Sequence, residues 1–105
     1  MTERIHGHLD LLILSVVSTG PKHGYAIISE LSNMSGGRFE LPEGTVYPAL
    51  HRLERRGLLE SFWAEGHTRR RRVYRLTDEG RSAREQERSA WKEFASGVES
   101  VLGWA

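Results

Sequence analysis

Up to Gly57 the apolar positions of the chain recur at the helical period; beyond it the period shortens to two. His8 to Thr19 predicts a first helix. On a 100° wheel Leu9, Leu12, Ile13 and Val16 form one stripe, Leu11 and Leu14 lie on the opposite side, and Gly20-Pro21 ends the run. A helix apolar on both sides needs cover on both sides, and in so short a chain a second subunit can supply it. Gly24 to Met34 predicts a second helix, with Ile27, Ile28 and Leu31 inward, Ser29 and Ser32 outward, and Ser35-Gly36-Gly37 as the break. Thr45 to Arg56 predicts a third, with Val46, Ala49, Leu50 and Leu53 as its buried stripe and Gly57 as a left-handed cap. Proline is tolerated in the first turn of a helix, where an amide has no partner, so Pro48 places the start near Gly44 or Thr45.

After Gly57, Leu59 to Ala64 and Arg71 to Leu76 predict two strands, with Tyr74 and Leu76 alternating against charged neighbours and 65–68 as the turn between them. Thr77-Asp78-Glu79 then opens a last helix with a capping hydroxyl and two acids at the positive end of the dipole. Its first half is almost entirely polar apart from Ala83. Its second half carries Ala90, Trp91, Phe94, Val98, Val101 and Leu102 at helical spacing. The order is helix, helix, helix, strand, strand, helix. That is an α+β winged helix-turn-helix with a two-stranded wing over residues 1–76, followed by a C-terminal dimerisation helix over 77–105. The stripe Trp91, Phe94, Val98, Val101 and Leu102 has too little polar relief for solvent, and Leu11 and Leu14 offer it a matching surface, so a homodimer is expected. The alternative is that the stripe folds back on its own domain.

At 105 residues, 38% hydrophobic and 28% charged, the chain fits one soluble globular unit. There is no cysteine, which excludes disulfides, thiolate metal sites and cysteine nucleophiles. The run Leu9 to Val17 is interrupted by Asp10 and Ser15 and far shorter than a membrane span or a convincing signal peptide, so a cytoplasmic protein with no membrane partner is expected. His6, His8, His23, His51 and His67 fall on different elements without ligand-pair spacing, which argues against a metal site. No nucleophile elbow or phosphate loop appears, and no cofactor is implied, so no enzyme is expected.

The formal net charge of +1 hides a division: eight arginines against three glutamates lie between residues 52 and 75, while the remainder has seven basic and eleven acidic residues. A basic segment on an acidic body points to a polyanionic partner docking at one place. Opposite the buried stripe of the third helix, Gly44, Pro48, His51 and Arg55 centre the outer face, flanked by Tyr47 and Arg52. Small residues around Gly44 and Thr45 let a partner approach the backbone; His51 and Arg52 can donate to phosphates or base edges, and Tyr47 offers a hydroxyl. Arg69, Arg70, Arg71 and Arg72 begin at the hairpin tip and continue into its returning strand, within reach of a duplex lying on that helix. Phe62 and Trp63, on the first hairpin strand, are expected as packing residues, and Trp104 as a dimer contact or a loose end. A winged helix can instead serve protein–protein contact without sequence-specific DNA binding; the arginine placement is what separates the two.

His23-Gly24-Tyr25, Gly44-Thr45-Val46-Tyr47-Pro48-Ala49-Leu50 with Arg52-Leu53-Glu54, Gly57-Leu58-Leu59-Glu60-Ser61, and Tyr74-Arg75-Leu76-Thr77 with Gly80 together resemble the PadR family of bacterial transcriptional regulators, in its short subfamily with a single C-terminal helix. The resemblance spans roughly residues 9 to 81. It implies a winged helix that dimerises through its last helix, represses transcription at a pseudo-palindromic operator in double-stranded DNA, and is released by a small-molecule effector. On this resemblance Tyr47, His23 to Tyr25 and the wing arginines are the DNA-contacting positions. Trp91 most resembles the tryptophan that stacks on planar or cationic ligands at the dimer interface of multidrug-binding relatives.

Overall fold

A computed structural model of the chain describes residues 8–65 and 70–103. Arg69, the turn residues 66–68, His6 and Trp104 lie outside the described residues. Within them the elements run α1 (Leu9–Val17), β1 (Lys22–His23), α2 (Gly24–Met34), α3 (Glu43–Arg55), β2 (Leu59–Ala64), β3 (Arg71–Leu76) and α4 (Asp78–Leu102). Ile13, Ile27, Val46, Leu50 and Leu53 close the space between the first three helices, and Leu59, Tyr74 and Leu76 lay the sheet against it. The predicted α2, β2 and β3 coincide with the observed ones.

Three local expectations are corrected. Leu14, expected on a second face of α1 awaiting a partner, is 1% exposed within the chain itself. The first helix packs against α2, α3, β3 and α4 at once, so its own subunit covers both sides, and Leu11 and Leu12 remain partly open. The third helix begins at Glu43, with the Pro42 carbonyl accepting from the amides of Thr45 (3.0 Å) and Val46 (3.2 Å). Pro48 therefore sits in the second turn and has no amide hydrogen for the Gly44 carbonyl, four residues back, a placement that costs roughly 3 kcal/mol. Burial of Val46, Ala49, Leu50 and Leu53 on the opposite face holds the helix through it. Among the described residues the sheet has three strands, in the order β1-β3-β2, all antiparallel. A two-residue strand leaves no period to detect, yet pairing Lys22 with Tyr74 and His23 with Val73 fixes the start of α2 beside the wing.

The last helix is joined tightly to the rest. Thr77 Oγ1 donates to the Gly57 carbonyl (2.6 Å) and accepts from the Gly80 amide (3.0 Å), while the Thr77 amide donates to the Leu58 carbonyl (3.2 Å). Gly57 has φ +77°, the left-handed value expected of it. Gly80 lies so close that a β-carbon there would overlap the Leu58 carbonyl oxygen. Farther along, Arg84 Nε donates to Ser15 Oγ on α1 at 3.2 Å. No described helix is long and apolar enough to cross a membrane.

Candidate nucleic-acid interface

A cleft of about 450 Å³ opens between the start of α2, the middle of α3 and the wing, lined by His23, Gly24, Tyr25, Tyr47, Arg70, Arg71 and Arg72. Each wall has a local cause. His23 is the N-cap of α2: its backbone is extended and its Nδ1 accepts from the Ala26 amide at 3.3 Å. The β1–β3 pairing turns the same ring toward the wing, with Nε2 3.0 Å from Arg71 Nη1. Gly24 is required by the approach of Tyr47: a β-carbon there would lie 2.6 Å from the phenol Cζ. Burial first, and the Glu43 charge second, push the Tyr47 phenol above its ordinary value, so it stays a neutral donor.

The wing arginines are not equivalent. Arg72 shares the core side of β3 with Tyr74; its Nε donates to Ser61 Oγ on β2 (2.9 Å) and its Nη2 reaches to 3.5 Å from the Glu54 carboxylate on α3. Ser61 Oγ donates in turn to Glu54 at 2.5 Å. Burial raises the Tyr74 phenol, and the neighbouring Arg72 charge opposes that. Arg71 lies on the opposite side, with His23. Arg70 lies over the Trp63 ring, 4.9 Å from its centroid.

Residues 13–86 match the profile described as the transcriptional regulator PadR-like family. The chain is 41% identical over 88 residues to transcriptional regulator Rv3488 of Mycobacterium tuberculosis, spanning 84% of this chain and 79% of that one. The chain belongs to the PadR-like family. Its fold is similar to that of a transcriptional regulator from Clostridium thermocellum, with a TM-score of 0.86 and 31% identity over 93% of this chain and 96% of that one. At the level of fold alone it also matches Bacillus subtilis PadR in complex with operator DNA, with a TM-score of 0.69 and 24% identity over 78% and 46% of the two chains.

On this PadR-like frame the outer face of α3 exposes Gly44, Pro48, His51 and Arg55 as expected, with Thr45 and Tyr47 partly covered at its edge. Arg52 is exposed at the flank of this face and has an ion-pair partner on another helix. Asp10 of α1 pairs with it, and the same carboxylate holds Arg56 Nη1 at 3.0 Å, so Arg52 is drawn back toward α1. Sequence reasoning missed Asp10, Glu54 and Ser61, polar residues whose partners lie on other elements. It also placed Phe62 and Trp63 as packing residues; the two rings are 40% and 50% exposed and pack under arginines instead, Arg75 over Phe62 at 5.2 Å and Arg70 and Arg72 over Trp63.

Far from the cleft, α4 leaves Trp91, Phe94, Val98, Val101 and Leu102 exposed on one stripe, Val101 at 89%. Trp91 meets the His8 ring edge-on at 4.7 Å and Phe94 at 5.8 Å, and an open groove of about 280 Å³ runs between Leu11, Glu87, Ala90 and these rings.

Proposed function

We propose that this PadR-family regulator is a repressor that binds a pseudo-palindromic operator as a homodimer and is released by a small-molecule effector. The observation that carries the reading is the cleft: two elements distant in sequence, residues 23–25 and 70–72, bring a helix N-terminus, an imidazole and three guanidiniums to one mouth. Such a donor set matches phosphate oxygens. In this reading Arg70, Arg71 and His23 hold the backbone of the duplex while His51 and Arg55 face base edges from α3. Residues 1–76 form the DNA-binding unit and 77–105 the dimerisation helix, whose exposed stripe repeats at alternating spacings of three and four, the pattern of a two-helix seam. Bacillus subtilis PadR, which shares the fold, is seen on operator DNA. The groove beside Trp91 suits a planar or cationic effector through ring stacking.

The test is a titration of wild type, Arg70→Ala/Arg71→Ala and His51→Ala on an operator drawn from an inverted repeat in the gene's own promoter and on a scrambled duplex, at several salt concentrations. The wing variant is expected to weaken both duplexes alike and to reduce the slope of log affinity on log salt by about 0.9 for each phosphate no longer neutralised. His51→Ala is expected to change the preference for operator over scrambled duplex. Unchanged affinity and slope in the wing variant would overturn the phosphate assignment.

A further inference from the structure

Trp63 belongs to no core: its indole is half exposed on β2, and two arginines lie on it. The guanidinium carbon of Arg70 is 4.9 Å from the ring centroid and that of Arg72 is 5.4 Å away. The hairpin register explains the arrangement, because Trp63 pairs directly across the sheet with Arg72. Arg72 is fixed from its other side by Ser61 of β2 and by Glu54 of α3, so a continuous chain of contacts runs from α3 through Arg72 and Trp63 to Arg70.

We infer that Trp63 is a positioning residue for DNA binding, a platform that holds the wing guanidiniums extended toward the phosphates before the duplex arrives. This rests on the reading that the wing contacts DNA. The chemistry of the two groups allows both contacts at once. A guanidinium stacks through its face and donates through the N–H groups at its edge, so an arginine lying on the indole keeps its in-plane donors for a phosphate oxygen. A long, rotamer-rich side chain otherwise loses its freedom when the duplex binds; on the platform much of that loss has occurred in the free protein. Trp63 itself touches no phosphate in this account. It acts through Arg70 and Arg72.

The experiment uses a fluorescein-labelled duplex of about 30 base pairs and scrambled sequence, long enough for two half-sites a helical turn apart. Phosphate contacts are sequence-independent, so no operator is required. Anisotropy titrations compare wild type, Trp63→Leu, Trp63→Phe, Arg70→Ala and Trp63→Leu/Arg70→Ala, with thermal unfolding of each to confirm a folded chain. Trp63→Leu keeps apolar bulk and loses the ring face; it is expected to bind roughly 5- to 30-fold more weakly, the effect of two stacked guanidiniums at exposed sites. Trp63→Phe is expected to recover part of that loss. A tryptophan that only packs would make leucine and phenylalanine equivalent. The double-mutant cycle decides the mechanism: with Arg70 already alanine, Trp63→Leu is expected to cost clearly less than in wild type. An equal cost in both backgrounds, or Trp63→Leu binding as tightly as wild type while Arg70→Ala is weak, overturns the platform and leaves the wing–phosphate reading standing. Arg70→Ala and Trp63→Leu both binding like wild type removes the wing from the interface and the platform with it.

Discussion

The two ends of the molecule expose opposite chemistries and treat them differently. At the wing, each exposed cation among the described residues has an internal companion: Arg72 has Ser61 and Glu54, Arg71 has His23, Arg70 has Trp63, and Arg75 has Glu60 at 2.6 Å. Along the outer half of α4, Phe94, Val98, Val101 and Leu102 stand exposed, and nothing in the described chain covers them. The difference follows from what water does to each group. A guanidinium is well solvated and can be oriented at little cost by a carboxylate or a ring, so a surface for a polyanion can be complete in one chain. An apolar side chain gains nothing from orientation in water and is stabilised only by cover, which the proposed partner subunit would supply for this stripe.

The largest effect is expected where cover is absent. Val98→Asp puts a carboxylate in the middle of the stripe; with four side chains per subunit contributing roughly 1.5–3 kcal/mol each, the proposed dimer should be lost. Light scattering at micromolar concentration should then report a monomer, and operator affinity should fall more than about 100-fold as the two half-site readers come apart. A wild-type chain that scatters as a monomer would end the dimer proposal.

Gly24→Ala tests the other end, where the contacts are internal. The new methyl meets the Tyr47 ring, and overpacking of this kind costs roughly 1–3 kcal/mol. Thermal unfolding is expected to drop by about 4–8 °C for each kcal/mol, with weaker duplex binding as the cleft deforms. An unshifted midpoint would mean that the ring yields freely.

A smaller change is expected from Asp10→Asn, which removes the carboxylate shared by Arg52 and Arg56. Exposed pairs contribute roughly 0.2–1 kcal/mol, so stability should barely move. Release of two cations beside α3 should nonetheless tighten scrambled-duplex binding several-fold and steepen its salt dependence. Unchanged salt dependence would show that the two arginines point away from the DNA.

The least disruptive test concerns the apolar end again. Trp91→Leu is expected to leave the dimer and its DNA affinity within about twofold of wild type, because leucine preserves the bulk of the contact. Operator release by planar or cationic compounds should be abolished. Release that survives the substitution would reduce Trp91 to packing.

How much of this was legible in the sequence depended on the range of the interaction. Tyr74 and Leu76 alternate with charged neighbours along the second strand, and Thr77 and Gly57 are caps whose chemistry is local, so these features were readable. The predicted strand bounds imply the pairing of Trp63 with Arg72, so the indole under the arginines was within reach of the sequence through the register. Pro48 misled because local rules place proline in a first turn, whereas tertiary burial of Val46 and Leu50 holds the helix two residues upstream of where that rule puts its start. Leu14 misled because a wheel shows which way a side chain points and not what lies there; α4 returns over α1 and closes the gap. The grip of Asp10 on Arg52 joins residues 42 positions apart, a separation at which neither carries any local mark of the other.

The joint at Thr77 has a consequence measured in base pairs. Its hydroxyl and amide bind α4 to the turn that ends α3, and Gly80 leaves no slack at the Leu58 carbonyl, so the helix that would pair two subunits is locked in angle to the helix that would enter the groove. In the proposed dimer the separation and phase of the two readers are then properties of the protein rather than of the DNA. With about 10–10.5 base pairs per turn, one base pair inserted between half-sites rotates one of them by roughly 35° around the duplex axis and moves it about 3.4 Å along it. A regulator hinged at residue 77 could follow that rotation; this one would have to twist the DNA back.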